Sequence, residues 1–150
     1  MRAVIQRVER ASVEVEKKVV SQIDQGLLIF VGIESADRQE EVIWLAGKIA
    51  RLRIFQDESG AMNRSVHDIA GDLLVVSQFT LVASTRKGNR PSFISAASPE
   101  VAVQRYEEFC RQLQAESAKP VCRGIFGAHM RIDLVNDGPV TICIDTRRKE

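Results

Sequence analysis

Seven successive residues, Leu27 to Ile33 (LLIFVGI), carry no polar side chain, and that run limits what the chain can become. It is far short of the ~20 residues a membrane span requires. It also lacks the alternation of a strand with one wet face, so it reads as a strand covered on both sides and central in its sheet. A second run, LLVVSQFTLV (73–82), reads as another central strand, yet Ser77, Gln78 and Thr80 place polar groups where burial is expected. The 150 residues suffice for one domain. A domain of that size buries roughly 68–70% of the surface its unfolded chain exposes.

Elsewhere the patterning mixes helix and strand. RAVIQRV, SVEVE and VVSQI near the start fit two short strands joined by a polar turn. Asp37 opens DRQEEVIWLAGKIARL, with Glu40 three residues later in a capping-box-like arrangement. Val42, Ile43, Ala46, Ile49 and Ala50 follow at helical spacing, to an end near Arg51. LRIF reads as a strand and QDESG as its turn. Ser98-Pro99-Glu100 signals a second helix start, with Ala102, Tyr106, Phe109 and Leu113 on one face. Finally, MRIDLV and VTICI alternate with period two around a Gly138-Pro139 turn, as in a hairpin. The sum predicts one α+β domain over residues 1–150, with a mainly antiparallel, barrel-like sheet and two helices.

Composition and motifs narrow the function. Net charge is +1, so contact with nucleic acid must come from local clustering. STRKGNRPSF (84–93) supplies such a cluster, with Arg86, Lys87 and Arg90 and no acid among them. Cys110, Cys122 and Cys143 are odd in number and widely spaced, as expected of reduced packing thiols rather than disulfides or a zinc site. No His/Cys/carboxylate cluster has ligand spacing, so neither metal nor cofactor is expected. The opening MRAVIQRVER has no h-region, so no secretory signal is read and a cytoplasmic location is expected. P-loop, dinucleotide fingerprint, G-x-S-x-G and H-E-x-x-H are all absent. His67 and His129 are the only histidines and read as structural or surface groups. Ser77 and Thr80 are possible nucleophiles, without a visible partner to take a proton. Taken singly, the polar residues at 77–80 read as satisfying backbone groups, GPVT as a turn, and the basic loop as solvated surface.

Together the segments are more specific. SQFTL (77–81) and NDGPVT (136–141), with MRAVIQRV at the start and KGNRPSF between them, resemble the D-aminoacyl-tRNA deacylase family across essentially the whole chain. Departures are slight: Val82 and Ile142 stand where aromatic residues are common in that family. The resemblance implies a homodimeric hydrolase that proofreads translation by cleaving the ester between a D-amino acid and the 3′ end of tRNA. It also implies activity on the glycyl ester, including glycine mischarged on alanine tRNA. Ser77, Gln78, Phe79 and Thr80 would line the pocket for the terminal adenosine, with the Phe79 N–H as oxyanion donor and the tRNA 2′-OH assisting the attacking water. Covalent attack by Thr80 is the rival mechanism. Gly138, Pro139, Val140 and Thr141 would reach across the dimer as a chirality filter that rejects L-aminoacyl esters.

The filter that the resemblance implies needs a cis Gly138-Pro139 bond; the sequence itself does not assign the isomer, but a Gly-Pro bond adopts cis for only ~0.5–1 kcal/mol, against ~2.5–4 kcal/mol without proline. Arg7 is assigned to holding that turn from across the dimer, since a guanidinium can bind two carbonyls. Arg86, Lys87 and Arg90 are assigned to tRNA phosphates. Two other readings stand beside this one: a non-catalytic module that binds the tRNA acceptor end, and an editing deacylase that acts on L-aminoacyl-tRNA.

Overall fold

In the computed structural model, which describes residues 1–149, β1 (Arg2–Val15) is the axis of the fold. Along one edge it pairs antiparallel with β3 (Gly26–Gly32) through Arg2–Val8, then with β2 (Lys18–Ile23) through Ala11–Val15. Along the other edge runs β8 (Arg131–Asp145), also antiparallel. β6 (Asp72–Ser77) and β7 (Val121–Arg123) extend the sheet in parallel from β3, in the order β2-β1-β3-β6-β7. β4 (Phe55–Gln56) and β5 (Met62–Arg64) form a separate small pair. α1 (Gln39–Ala50) and α2 (Pro99–Ser117) lie together on one face of the sheet.

The apolar run at 27–33 is covered on both faces, as its composition requires. Leu27, Ile29 and Val31 face Leu45, Ile49, Phe109 and Leu113 of the helices. Leu28 joins Leu74, Val76, Val8, Val13 and Ile23 in a second core. That second core forms where β1 pairs with β3 through its first half and with β2 through its second. The sheet thereby curls toward a barrel, which leaves no polar side chain tolerable along β3.

Several local expectations give way to longer-range contacts. The opening strand is one fourteen-residue element, and the polar turn after it places both Glu16 and Lys17 at positive φ (49° and 62°), the pairing a two-residue hairpin needs. The first helix starts later than Asp37 suggests. Arg38 caps it, with its N–H donating to Glu41 Oε2 at 2.8 Å, while Asp37 accepts from the Glu34 N–H and the Met1 ammonium. LRIF is not a strand until Phe55. The strand expected over 73–82 stops at Ser77 and passes into a 3-10 turn, Phe79–Val82. The largest difference concerns Gly138-Pro139. MRIDLV and VTICI are not the arms of a hairpin but two parts of the single strand β8, because each pairs with β1 rather than with the other.

Candidate active site

The polar residues at 77–80 mark where β6 leaves the sheet. The Gln78 N–H donates to the Val31 carbonyl at 2.8 Å, a last ladder bond. Gly32 makes that approach feasible, since a Cβ there would lie 2.8 Å from the Gln78 carbonyl oxygen. The chain then turns, with the Leu81 N–H donating to the Gln78 carbonyl and the Ala83 N–H to that of Thr80. The opening N–H groups of such a turn have no partner within it. Among the described residues, those of Phe79 and Thr80 find no backbone acceptor elsewhere either.

Ser77, Gln78 and Phe79 form one wall of a cleft of about 280 Å³, and Phe126, His129 and Met130 form the facing wall. Phe126 is backed by the Tyr106 ring at 5.7 Å, and the Tyr106 hydroxyl donates to the Val75 carbonyl at 2.9 Å. Burial raises the Tyr106 phenol far above its ordinary pKa, so it remains a donor. Burial also pushes the neighbouring Cys110 thiol up to about 11. Phe79 is 58% exposed and packs its ring on Phe93, centroid to centroid 5.0 Å. The Thr80 hydroxyl accepts a hydrogen bond from the Gln78 side-chain amide. Among the described residues, no hydrogen bond links His129 to Ser77 or Thr80. A larger cleft, about 510 Å³, borders Leu81, Arg2 and Trp44. It holds none of the free main-chain donors, so the chemistry points to the smaller one.

GPVT is the tip of a wide bulge. Between the pairs Gln6↔Thr141 and Val8↔Asn136 lies one residue of β1, Arg7, against four of β8, Asp137–Val140. Gly138, Pro139 and Thr141 are exposed, while Val140 packs on the main core. The Gly138-Pro139 bond is cis, as expected. Gly138 has φ +145°, and a Cβ there would lie 2.6 Å from the Val140 nitrogen, so glycine is required. Arg7, only 7% exposed, fixes the base of the bulge. Its Nε donates to the Asp137 carbonyl at 3.2 Å and lies 3.0 Å from Asp137 Oδ2, while Nη1 donates to the Ile54 carbonyl. These Arg7 contacts lie within one chain. Asn136 closes the loop, donating to the carbonyls of Arg7 (2.9 Å) and Val140 (3.2 Å).

Arg86, Lys87 and Arg90 stand exposed on a loop closed at its base by the Ser84↔Ser92 bridge. Phe93, just beyond that base, ties the loop to Phe79. Phe93 and Phe126 were not read as site residues, His129 was read as structural or surface, and Asn136 was quoted only as part of NDGPVT. Only Asn136, one residue before Asp-Gly-Pro, carries a local signal, the habit of Asn side chains to bond nearby backbone.

A cleft lined by Ser77, Gln78, the Phe79 main chain and His129 has the polar lining of a hydrolase site. The comparisons give the particular family. A model described as D-Tyr-tRNA(Tyr) deacylase matches residues 4–145, and the chain belongs to that family. Proteins named D-aminoacyl-tRNA deacylase from Bacteroides thetaiotaomicron and Porphyromonas gingivalis are 56% and 57% identical to it, each over the full length of both chains. A solved structure of a c-Myc DNA unwinding element binding protein is 42% identical, with a TM-score of 0.91 over 97% of this chain and 98% of that one. A probable eukaryotic D-amino acid tRNA deacylase is 18% identical, with a TM-score of 0.81 over 95% and 97%, a likeness of fold.

Proposed function

We infer that the chain is a carboxylic ester hydrolase that releases D-amino acids from the 3′ end of tRNA, working in the cytoplasm as a homodimer. Family membership supports the substrate. The chemistry rests on one observation, the unpartnered Phe79 N–H at the mouth of the SQFTL cleft. With the terminal adenosine in that cleft, the N–H donates to the ester carbonyl oxygen as water adds to its carbon. The tetrahedral oxyanion then collapses, and the ribose 3′-oxygen leaves with a proton. One such donor is worth ~10²–10³ in rate. The 2′-OH of the same ribose orients the water, supplying the help that no side chain of the cleft is hydrogen-bonded to give. Thr80 as a nucleophile is disfavoured because its hydroxyl is engaged by the Gln78 amide rather than by a base.

Chirality is read by the Gly138-Pro139 bulge of a second copy. The separation of the two motifs within one chain supports a site shared between two copies. Ser77 is in register with Val31 and Val31 with Ala3, while the bulge sits opposite Arg7, four residues further along β1. At ~3.4 Å per residue that is about 14 Å along the strands. Inserted from a partner, the bulge offers the Gly138 and Pro139 carbonyls to the substrate α-ammonium. Its backbone excludes an L side chain, lets a D side chain point to solvent, and passes glycine. Arg86, Lys87 and Arg90 contact phosphates near the acceptor end, so binding weakens as salt rises. The test is D-tyrosyl-tRNA carrying a 2′-deoxy terminal adenosine. Its cleavage should fall at least ~10²-fold, as for loss of a positioned helper group. Unchanged cleavage would return the mechanism to Thr80.

A further inference from the structure

Glu34 is 1% exposed, a carboxylate placed where an isolated charge is costly. It is anchored from its own backbone, with its N–H donating to Asp37 Oδ2 at 2.7 Å and the Ser35 N–H donating to the Ser95 carbonyl at 3.0 Å. Two guanidiniums neutralise it. Arg147 Nη2 lies 2.6 Å from Oε2 and Arg2 Nε lies 3.2 Å from Oε1. Neither oxygen meets these donors in hydrogen-bond alignment, so the hold is one of charge. Arg2 has two further attachments: its Nε lies 3.4 Å from Asp145 Oδ2, and its Nη1 donates to the Leu81 carbonyl at 3.0 Å. Leu81 is the third residue of the 3-10 turn, whose first residue, Phe79, lines the cleft. A carbonyl in the last part of such a turn has no donor within it, and a charge-assisted bond is the stronger kind.

We propose that Arg2 is a positioning residue of the deacylation site: braced against buried Glu34, it grips the Leu81 carbonyl and sets the direction of the Phe79 and Thr80 N–H groups. This rests on the reading of the Phe79 N–H as the oxyanion donor. A turn held only at its β6 end, through the Gln78 N–H, is free to tilt. Arg2 fixes the other end to an anchor on a different part of the chain. Such a strut acts on the transition state more than on adenosine binding, because a donor misplaced by ~1 Å costs on the order of 10²-fold in rate.

The test compares Arg2→Met, Arg2→Lys and wild type as full-length proteins, with kcat and KM for D-tyrosyl-tRNA and amide hydrogen exchange on each. Arg2→Met should lower kcat ~10–100-fold while KM stays within ~3-fold. Arg2→Lys, whose ammonium can still donate to the Leu81 carbonyl, should recover most of the loss. Exchange at Leu81 and Ala83 should quicken at least ~10-fold in Arg2→Met, while Val75 and Val76 of β6 keep their protection. Unchanged kcat with unchanged turn amides would overturn the proposal, and so would loosening that spreads equally to Val75 and Val76. If wild type cleaves no D-tyrosyl-tRNA, the functional reading falls, and the Leu81 and Ala83 amides alone then decide whether Arg2 holds the turn.

Discussion

At the residue scale the proposed site rests on positions whose value would lie in backbone rather than in side-chain chemistry. Gly138→Ala should lower stability by about 1–3 kcal/mol in urea unfolding, because its Cβ meets the Val140 nitrogen and its φ is positive. Deacylation should be impaired as well, and a variant that unfolds and acts like wild type would contradict the account. Thr80→Ala and His129→Ala should each keep activity within ~10-fold, whereas a true general base or nucleophile contributes ~10²–10⁴. A loss of four or more orders of magnitude for Thr80→Ala would establish covalent attack. SQFTL and GPVT drew notice only through their joint resemblance to the deacylase family, since singly they read as strand-end polar residues and a turn. The Asn136 bond to the Arg7 carbonyl was not legible, since β1 and β8 that carry the two residues lie about 130 residues apart in the chain.

At the element scale, pattern reading recovered the helices and the doubly covered strand β3, whose signals are periodicity and unbroken apolarity. It missed that β6 ends in a 3-10 turn and that β8 is one strand with a bulge. Both depend on the partner: Val31 captures the Gln78 N–H, and β1 pairs with both halves of β8. The turn can be probed by removing its key donor. Phe79→Pro, at the first position of the turn where proline is tolerated, should cost ~10²–10³ in kcat. Phe79→Leu, which keeps the N–H and loses only the ring contact with Phe93, should cost much less. The β4–β5 turn gives an independent check on its hydrogen bonds. The Ser59 hydroxyl and the Asn63 amide hold the Asp57 carboxyl down to about 2. A depressed folded-state pKa gives support that is complete above the unfolded value near ~4 and lost as pH falls through the folded value. The Ser59 and Ala61 amides, both donors to Asp57, should therefore shift in NMR spectra between about pH 4 and about pH 2.

At the scale of the whole molecule the account requires two copies, because cleft and bulge are about 14 Å apart along the sheet of one chain. Mixing a cleft-dead variant (Phe79→Pro) with a bulge-dead one (Gly138→Ala) through an unfolding and refolding cycle tests this. Half of the randomly formed dimers are mixed, and each then carries one intact cleft facing one intact bulge. Activity should return to roughly a quarter of wild type if a C2 dimer shares its sites in this way. No recovery would place both motifs in one chain. The central claim is a hydrolase that discriminates by rejecting the L form, and the most direct measurement follows ester loss from D-tyrosyl-tRNA and L-tyrosyl-tRNA side by side. Rapid loss of the D ester with the L ester intact is the expected result. Cleavage of the L ester alone would contradict the chirality filter, and cleavage of neither would leave a protein that only binds the acceptor end.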